Sequence, residues 1–225
     1  QGIDVGPVIA GVLPYTHPLF TDAGKCLILV EGTHDKEVLG KYLQHTASRL
    51  NVKIVRVSDL THAPSGNNSD KQMVDYIKKN FGPLAIRAAL GGIRIVLDNT
   101  VSDSQAKGIS SGLNSSFDSF GIKGSKGDLI KVTCLSQCPA NPELDETFRG
   151  IERFLPTKLV TDACSTGGIT LAKATKNGKL IYTLPPSDKD LFESRAKTMI
   201  TKKFCSKKNI LEEDTQFLAR IFSDS

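Results

Sequence analysis

The sequence predicts an α/β fold with a mainly parallel central sheet flanked by helices. Three observations carry that prediction. Short, continuously apolar runs such as Lys25 to Val30 (KCLILV) have the pattern of strands buried on both faces. These runs alternate with amphipathic stretches of helical period, the order expected of right-handed βαβ units. No internal repeat, heptad series or low-complexity tract points instead to a solenoid or a coiled coil.

The elements follow in order. After KCLILV and Gly32, the stretch from Asp35 to Leu50 sets Val38, Leu39, Tyr42, Leu43 and Leu50 near helical spacing, with Lys36, Glu37 and Lys41 outside. Asn51 to Val57 (NVKIVRV) alternates as a second strand, and the turn formers of residues 61–69 (THAPSGNNS) predict a mobile loop. A helix from Asp70 to about Asn80 places Met73, Ile77 and Phe81 on one face, and Pro83 opens a short helix that Gly91 and Gly92 stop. Ile93 to Leu97 (IRIVL) is a β-branched third strand. A helix carrying Ile109, Leu113, Phe117 and Phe120 then closes at Gly121, before a fourth strand from Leu129 to Leu135 (LIKVTCL). From Pro156 the chain reads as mainly helical, with turns at Gly167-Gly168 and Asn177-Gly178 and amphipathic segments over Asp188 to Lys203 and Leu211 to Phe222. The expected organisation is an N-terminal extension over 1–23, an α/β domain over 24–155 and a helical extension or cap over 156–225.

Composition narrows the function classes. No apolar run is long enough to span a bilayer, and Gln1 to Val5 lack the basic start and apolar block of a signal peptide, so a cytoplasmic protein without a membrane partner is expected. The 5 cysteines, at 26, 134, 138, 164 and 205, form no disulfide framework. Cys134 and Cys138 lack a second pair of ligands to complete a zinc site. The net charge of +5 does not by itself establish nucleic-acid binding. Lys202, Lys203, Lys207 and Lys208 crowd one C-terminal stretch, which reads as a solvated face or as a phosphate contact.

Two strands end in an acid, the first in Val30-Glu31-Gly32 and the third in Leu97-Asp98-Asn99. Carboxylates placed where a parallel sheet opens suit a hard divalent cation, which takes oxygen ligands from one or two acids, water and substrate phosphates. Asp35 opens the following helix, as a cap for its free N–H groups or turned towards Glu31. His34 beside it reads as a surface residue or an aid to proton transfer.

With those residues in view, Leu27 to Leu39 (LILVEGTHDKEVL) resembles the first motif of the Toprim fold, an apolar strand followed by Glu-Gly and an Asp opening a helix. Ile93 to Thr100 (IRIVLDNT) is similar to the second, an apolar strand ending in Asp-x-Asp. Gly150 to Leu155 (GIERFL) resembles a Gly-x-Glu-x-x-Leu segment of OLD-type nucleases and related stand-alone Toprim families. The resemblance covers about residues 24 to 155. It implies Mg²⁺ or Mn²⁺ as cofactor, DNA or RNA as partner, and phosphodiester chemistry of nuclease type. It also implies Glu31 as general acid/base or metal ligand, Asp98 as the principal metal ligand, Asp35 in support and Glu152 as a further ligand. Thr100 stands where the second motif has its second Asp, and Asp103, three residues on, is the nearest substitute. That departure favours one metal over two. It also opens an alternative, a non-catalytic Toprim-like module that binds nucleic acid or a protein partner.

Overall fold

The computed structural model describes residues 18–46, 51–61, 69–121 and 126–223. It is α/β, with a four-stranded, wholly parallel sheet flanked by helices. The strands are β1 (Cys26–Val30), β2 (Val52–Arg56), β3 (Ile93–Leu97) and β4 (Ile130–Cys134), in the order β2-β1-β3-β4. The two most apolar strands, β1 and β3, take the centre, as burial on both faces requires. Leu27, Leu29, Ile93, Ile95 and Leu97 join one core, while the alternate residues Ile28, Val30 and Val96 are buried as well.

That core is closed by helical residues at three- and four-residue spacing. They come from α3 (Ser69–Lys79), through Met73, Val74 and Ile77, and from α4 (Phe81–Gly91), through Leu84, Ala85 and Ala88. The long α5 (Asp103–Ser119) adds Ala106, Ile109, Leu113 and Phe117. Phe120, expected on this stripe, lies one residue past the helix as its cap and is 43% exposed. The second strand stops at Arg56, because Val57 already begins α2 (Val57–Thr61), and α1 runs over Thr33–Thr46. The predicted loop over 61–69 falls largely outside the described residues, as does most of the predicted N-terminal extension.

By its internal contacts the chain divides into two compact units, one of residues 1–36 and 49–134 and one of residues 37–48 and 135–225. The second holds a helix over Thr157–Thr166 and a helical stretch ending in Lys197–Cys205. Its aromatic contacts include Phe148 edge-on to Phe192 at 5.5 Å and Tyr42 stacked on Phe222 at 5.6 Å. To the expected helices it adds an antiparallel hairpin, β5 (Ala172–Lys176) and β6 (Lys179–Thr183). The turn between them is Asn177-Gly178, both at positive φ, as a two-residue hairpin demands.

One buried charge anchors the amino-terminal edge of the sheet. Arg87 on α4 is fully buried, and its guanidinium donates to the carbonyls of Leu19, Asp22, Lys25 and Gly92. Lys25 and Gly92 directly precede β1 and β3, and the Gly92 carbonyl also accepts from the Leu27 amide at 3.0 Å. Arg87→Met is expected to destabilise the protein by about 3 kcal/mol or more, since each buried carbonyl left without a donor costs roughly 1–3 kcal/mol. The urea midpoint should fall with the slope unchanged, and Arg87→Lys should recover only part of the loss, because one ammonium cannot span four acceptors. An unchanged midpoint in Arg87→Met would mean that the carbonyls find other donors.

Candidate functional site

All four strands are parallel, so their carboxyl ends share one edge, where ligands of open α/β sheets bind. The strands β1 and β3 are direct neighbours with Leu29 opposite Ile95. Continuing that register sets Glu31 beside Leu97, one residue short of Asp98. The two acids therefore leave adjacent strands at one edge, as the sequence predicted. Glu31 Oε2, Asp98 Oδ1 and Asn99 Oδ1 are withdrawn from solvent, so the edge presents two carboxylates and an amide oxygen from a partly enclosed position.

The other candidates occupy different settings. Asp35 folds back, its Oδ2 accepting the Gly32 amide at 3.0 Å. Gly32 is not in the left-handed region; its value is room, since an added Cβ would lie 3.3 Å from that carboxylate oxygen. Asp103 is exposed at the first turn of α5, where it complements the helix dipole next to the capping box of Ser102 and Gln105. Thr100 is exposed in the turn before it.

Glu152 belongs to the second unit, in a 3₁₀ turn over Ile151–Phe154, and is 2% exposed. Its Oε1 accepts the Gly150 amide at 3.0 Å, and its Oε2 lies 3.9 Å from Lys197 Nζ. An added Cβ on Gly150 would meet Oε2 at 2.7 Å, so the glycine of this motif makes room for the acid. Burial, with Glu152 adding to it, pushes the Cys164 thiol up to about 12 and leaves it unreactive. Among the described residues no group of three or more His, Cys, Asp or Glu side chains is placed to hold a metal ion. Cys134 instead donates to the carbonyls of Val101, at 3.4 Å, and Asp98, at 3.7 Å.

A charged network that the motif reading missed lies at the same edge. Arg56, the last residue of β2, is opposite Val30 in register. Its guanidinium grips Asp59 and donates to Thr33 Oγ1 at 2.7 Å, while Lys36 reaches Asp59 Oδ2 at 3.1 Å. The signal was present in the spacing: a basic residue ends a strand and an acid follows three residues later. The second unit holds a cavity of about 640 Å³ whose walls include Thr157, Lys203, Lys207, Asp214 and Phe217, and there Lys207 is paired with Asp214.

No protein-family model matches the chain, and neither a curated protein nor a solved structure matches it.

The hydrogen bond from Arg56, then that from Lys36, outweighs burial and holds the Asp59 carboxyl down to about 2, against an ordinary value of 3.8. A carboxyl lowered on folding contributes its stability above the unfolded value and loses it as pH falls through the folded one. Stability is therefore expected to drop between about pH 4 and pH 2 by about 1 kcal/mol from this group, after allowance for solvent screening. Asp59→Asn should remove that part of the pH dependence, read from urea midpoints across the acid range. An acid limb identical in the variant would assign the loss to other carboxyls.

Proposed function

We propose that the chain performs divalent-metal-dependent phosphodiester chemistry on nucleic acid, as a nuclease of Toprim type. The observation that carries this reading is that Glu31 and Asp98 follow the carboxyl ends of neighbouring parallel strands. The oxygens of Glu31, Asp98 and Asn99 withdrawn from solvent fit a Mg²⁺ or Mn²⁺ ion of the kind that takes few protein ligands and completes its shell with water and phosphate. With a cation bound, the site gains a positive centre for a non-bridging phosphate oxygen and for the charge that develops on it. Asp98 holds; Glu31 holds or moves the proton of the attacking water. Arg56 and Lys36, on the neighbouring strand end and helix start, add positive charge at the edge where the phosphate enters. Asp35 serves Glu31 indirectly, by fixing the Gly32 turn.

A second reading has its own observation. Thr100 is exposed where the Toprim pattern has an acid, and no third carboxylate joins the pair among the described residues. A non-catalytic module of the same fold, binding nucleic acid or a protein partner, fits those facts.

Calorimetric titration with Mn²⁺ separates the two. The nuclease reading expects binding that weakens as pH falls, because protons compete for the ligand oxygens, and that is lost in Asp98→Asn. Cleavage of a plasmid or a single-stranded RNA should need the metal and fall about 10²-fold or more in Glu31→Gln. Both variants should melt like the parent. Absence of Mn²⁺ binding by the parent favours the module, and equal cleavage by parent and variants places the activity elsewhere.

A further inference from the structure

The hairpin β5–β6 is held at its base, where Ile181, Tyr182 and Thr183 are half-buried, and is unsupported at its tip. Every residue of β5 is exposed, as are Lys179 and Leu180 of β6, so neither face of its outer half is packed. Isolated two-stranded hairpins of this kind are marginal in water. The register makes matters worse at the tip, where Lys176 lies directly opposite Lys179. Like charges facing each other across a ladder repel.

The charge around the hairpin is one-sided. From Gly167 to Ser187 the sequence holds Lys173, Lys176 and Lys179 and no acid. The acids that come near enter at the base: Glu143 and Asp145 flank the bridge between Leu144 and Tyr182, and Asp145 accepts the Thr183 hydroxyl at 2.7 Å. Among the described residues none of the three lysines pairs with a carboxylate. Lys173 instead sits 5.8 Å from the Tyr182 ring, on the face opposite to that of Lys176 and Lys179.

We infer that this hairpin is a docking element for the phosphodiester backbone of a nucleic acid. Phosphates near the tip turn the repulsion of Lys176 and Lys179 into attraction, which gives the partner charge complementarity with an outer half that is exposed on both faces. The dimensions agree. A strand of five residues is about 17 Å long, close to five steps of a nucleic-acid strand at about 3.4 Å each, and a two-stranded ribbon fits the major groove of B-form DNA. The choice of a nucleic acid over another polyanion rests on the function proposed above; the charge argument does not.

The test is fluorescence anisotropy with a short DNA duplex and a single-stranded RNA over a range of salt, with EDTA present so that no cleavage occurs. The wild type is compared with the triple variant Lys173→Gln, Lys176→Gln, Lys179→Gln, and with the triple Lys→Arg variant. Each phosphate contact contributes about 0.9 to the slope of log affinity against log salt on a duplex, so the Gln variant should lose between about two and three and bind on the order of 100-fold more weakly at about 0.1 M salt. The Arg variant should bind and melt like the wild type, and the Gln variant should melt no lower, since the replaced side chains are exposed and the repulsion of Lys176 and Lys179 is gone. Nucleic-acid binding with an unchanged slope in the Gln variant overturns the hairpin and leaves the proposed nuclease standing. A wild type that binds neither nucleic acid but does bind polyglutamate or anionic vesicles overturns the choice of partner. Binding through the hairpin without cleavage when Mn²⁺ is restored supports the docking element and counts against the nuclease.

Discussion

The ladder between β1 and β3 is the constraint from which the rest of the first unit follows. Two strands without an outward face must lie side by side in the middle of the sheet, and their parallel pairing sends both carboxyl ends to one edge. The carboxyl ends of the strands gather the charged groups, with Glu31 and Asp98 just past the last apolar residues of β1 and β3 and Arg56 closing β2. The amino-terminal edge is treated in the opposite way. There Arg87, wholly buried, directs its donors to four backbone carbonyls of the fold. One edge of the sheet is thus closed by an internal clamp, while the other presents oxygens and cations.

The parts of this arrangement that were legible in the sequence are those set by periodicity. KCLILV and IRIVL have too few polar residues for anything but central strands, and the acids that end them could be read together with them. Other parts depend on contacts that no local pattern encodes. Arg87 sits among Leu84, Ala85 and Ala88 on the buried side of α4, where a sequence reading takes arginine for a solvated residue; its acceptors lie more than sixty positions away, apart from Gly92. The hairpin was missed for another reason. Its strand β5 is fully exposed and β6 carries its apolar residues consecutively, so hydrophobic alternation is weak and only the Asn177-Gly178 turn between two five-residue segments announces it. Phe120 was misassigned because the apolar stripe of α5 continues in sequence one residue beyond the helix.

The acids of the motifs fall into two kinds once their surroundings are known. Asp35 and Glu152 each turn back onto the amide of a glycine that precedes them by two or three residues, and in each case a side chain on that glycine would crowd the carboxylate. A Gly-then-acid spacing is therefore explained locally, as an acid that fastens a turn, without any ligand. Glu31 and Asp98 are placed by the sheet, from positions 67 residues apart in sequence, and their shared edge is a product of topology rather than of a turn. The case for chemistry rests on that second pair.

Charge balance at the carboxyl edge then bears on how many cations the proposed site holds. Glu31 and Asp98 carry two negative charges, the number that would neutralise one divalent ion. Lys36 and Arg56 are offset by Asp59 and by Asp35 at the Gly32 turn, so these four side chains leave no net charge to neutralise a further ion. A second divalent cation close to the first needs further acids to offset mutual repulsion, and the position that supplies one in the Toprim pattern is Thr100, a neutral hydroxyl. Asp59 does not fill that role. Its oxygens already receive Arg56 and Lys36, and the depression of its titration to about 2 reflects how firmly they hold it. With one cation the edge is balanced by the residues it has; with two it is not.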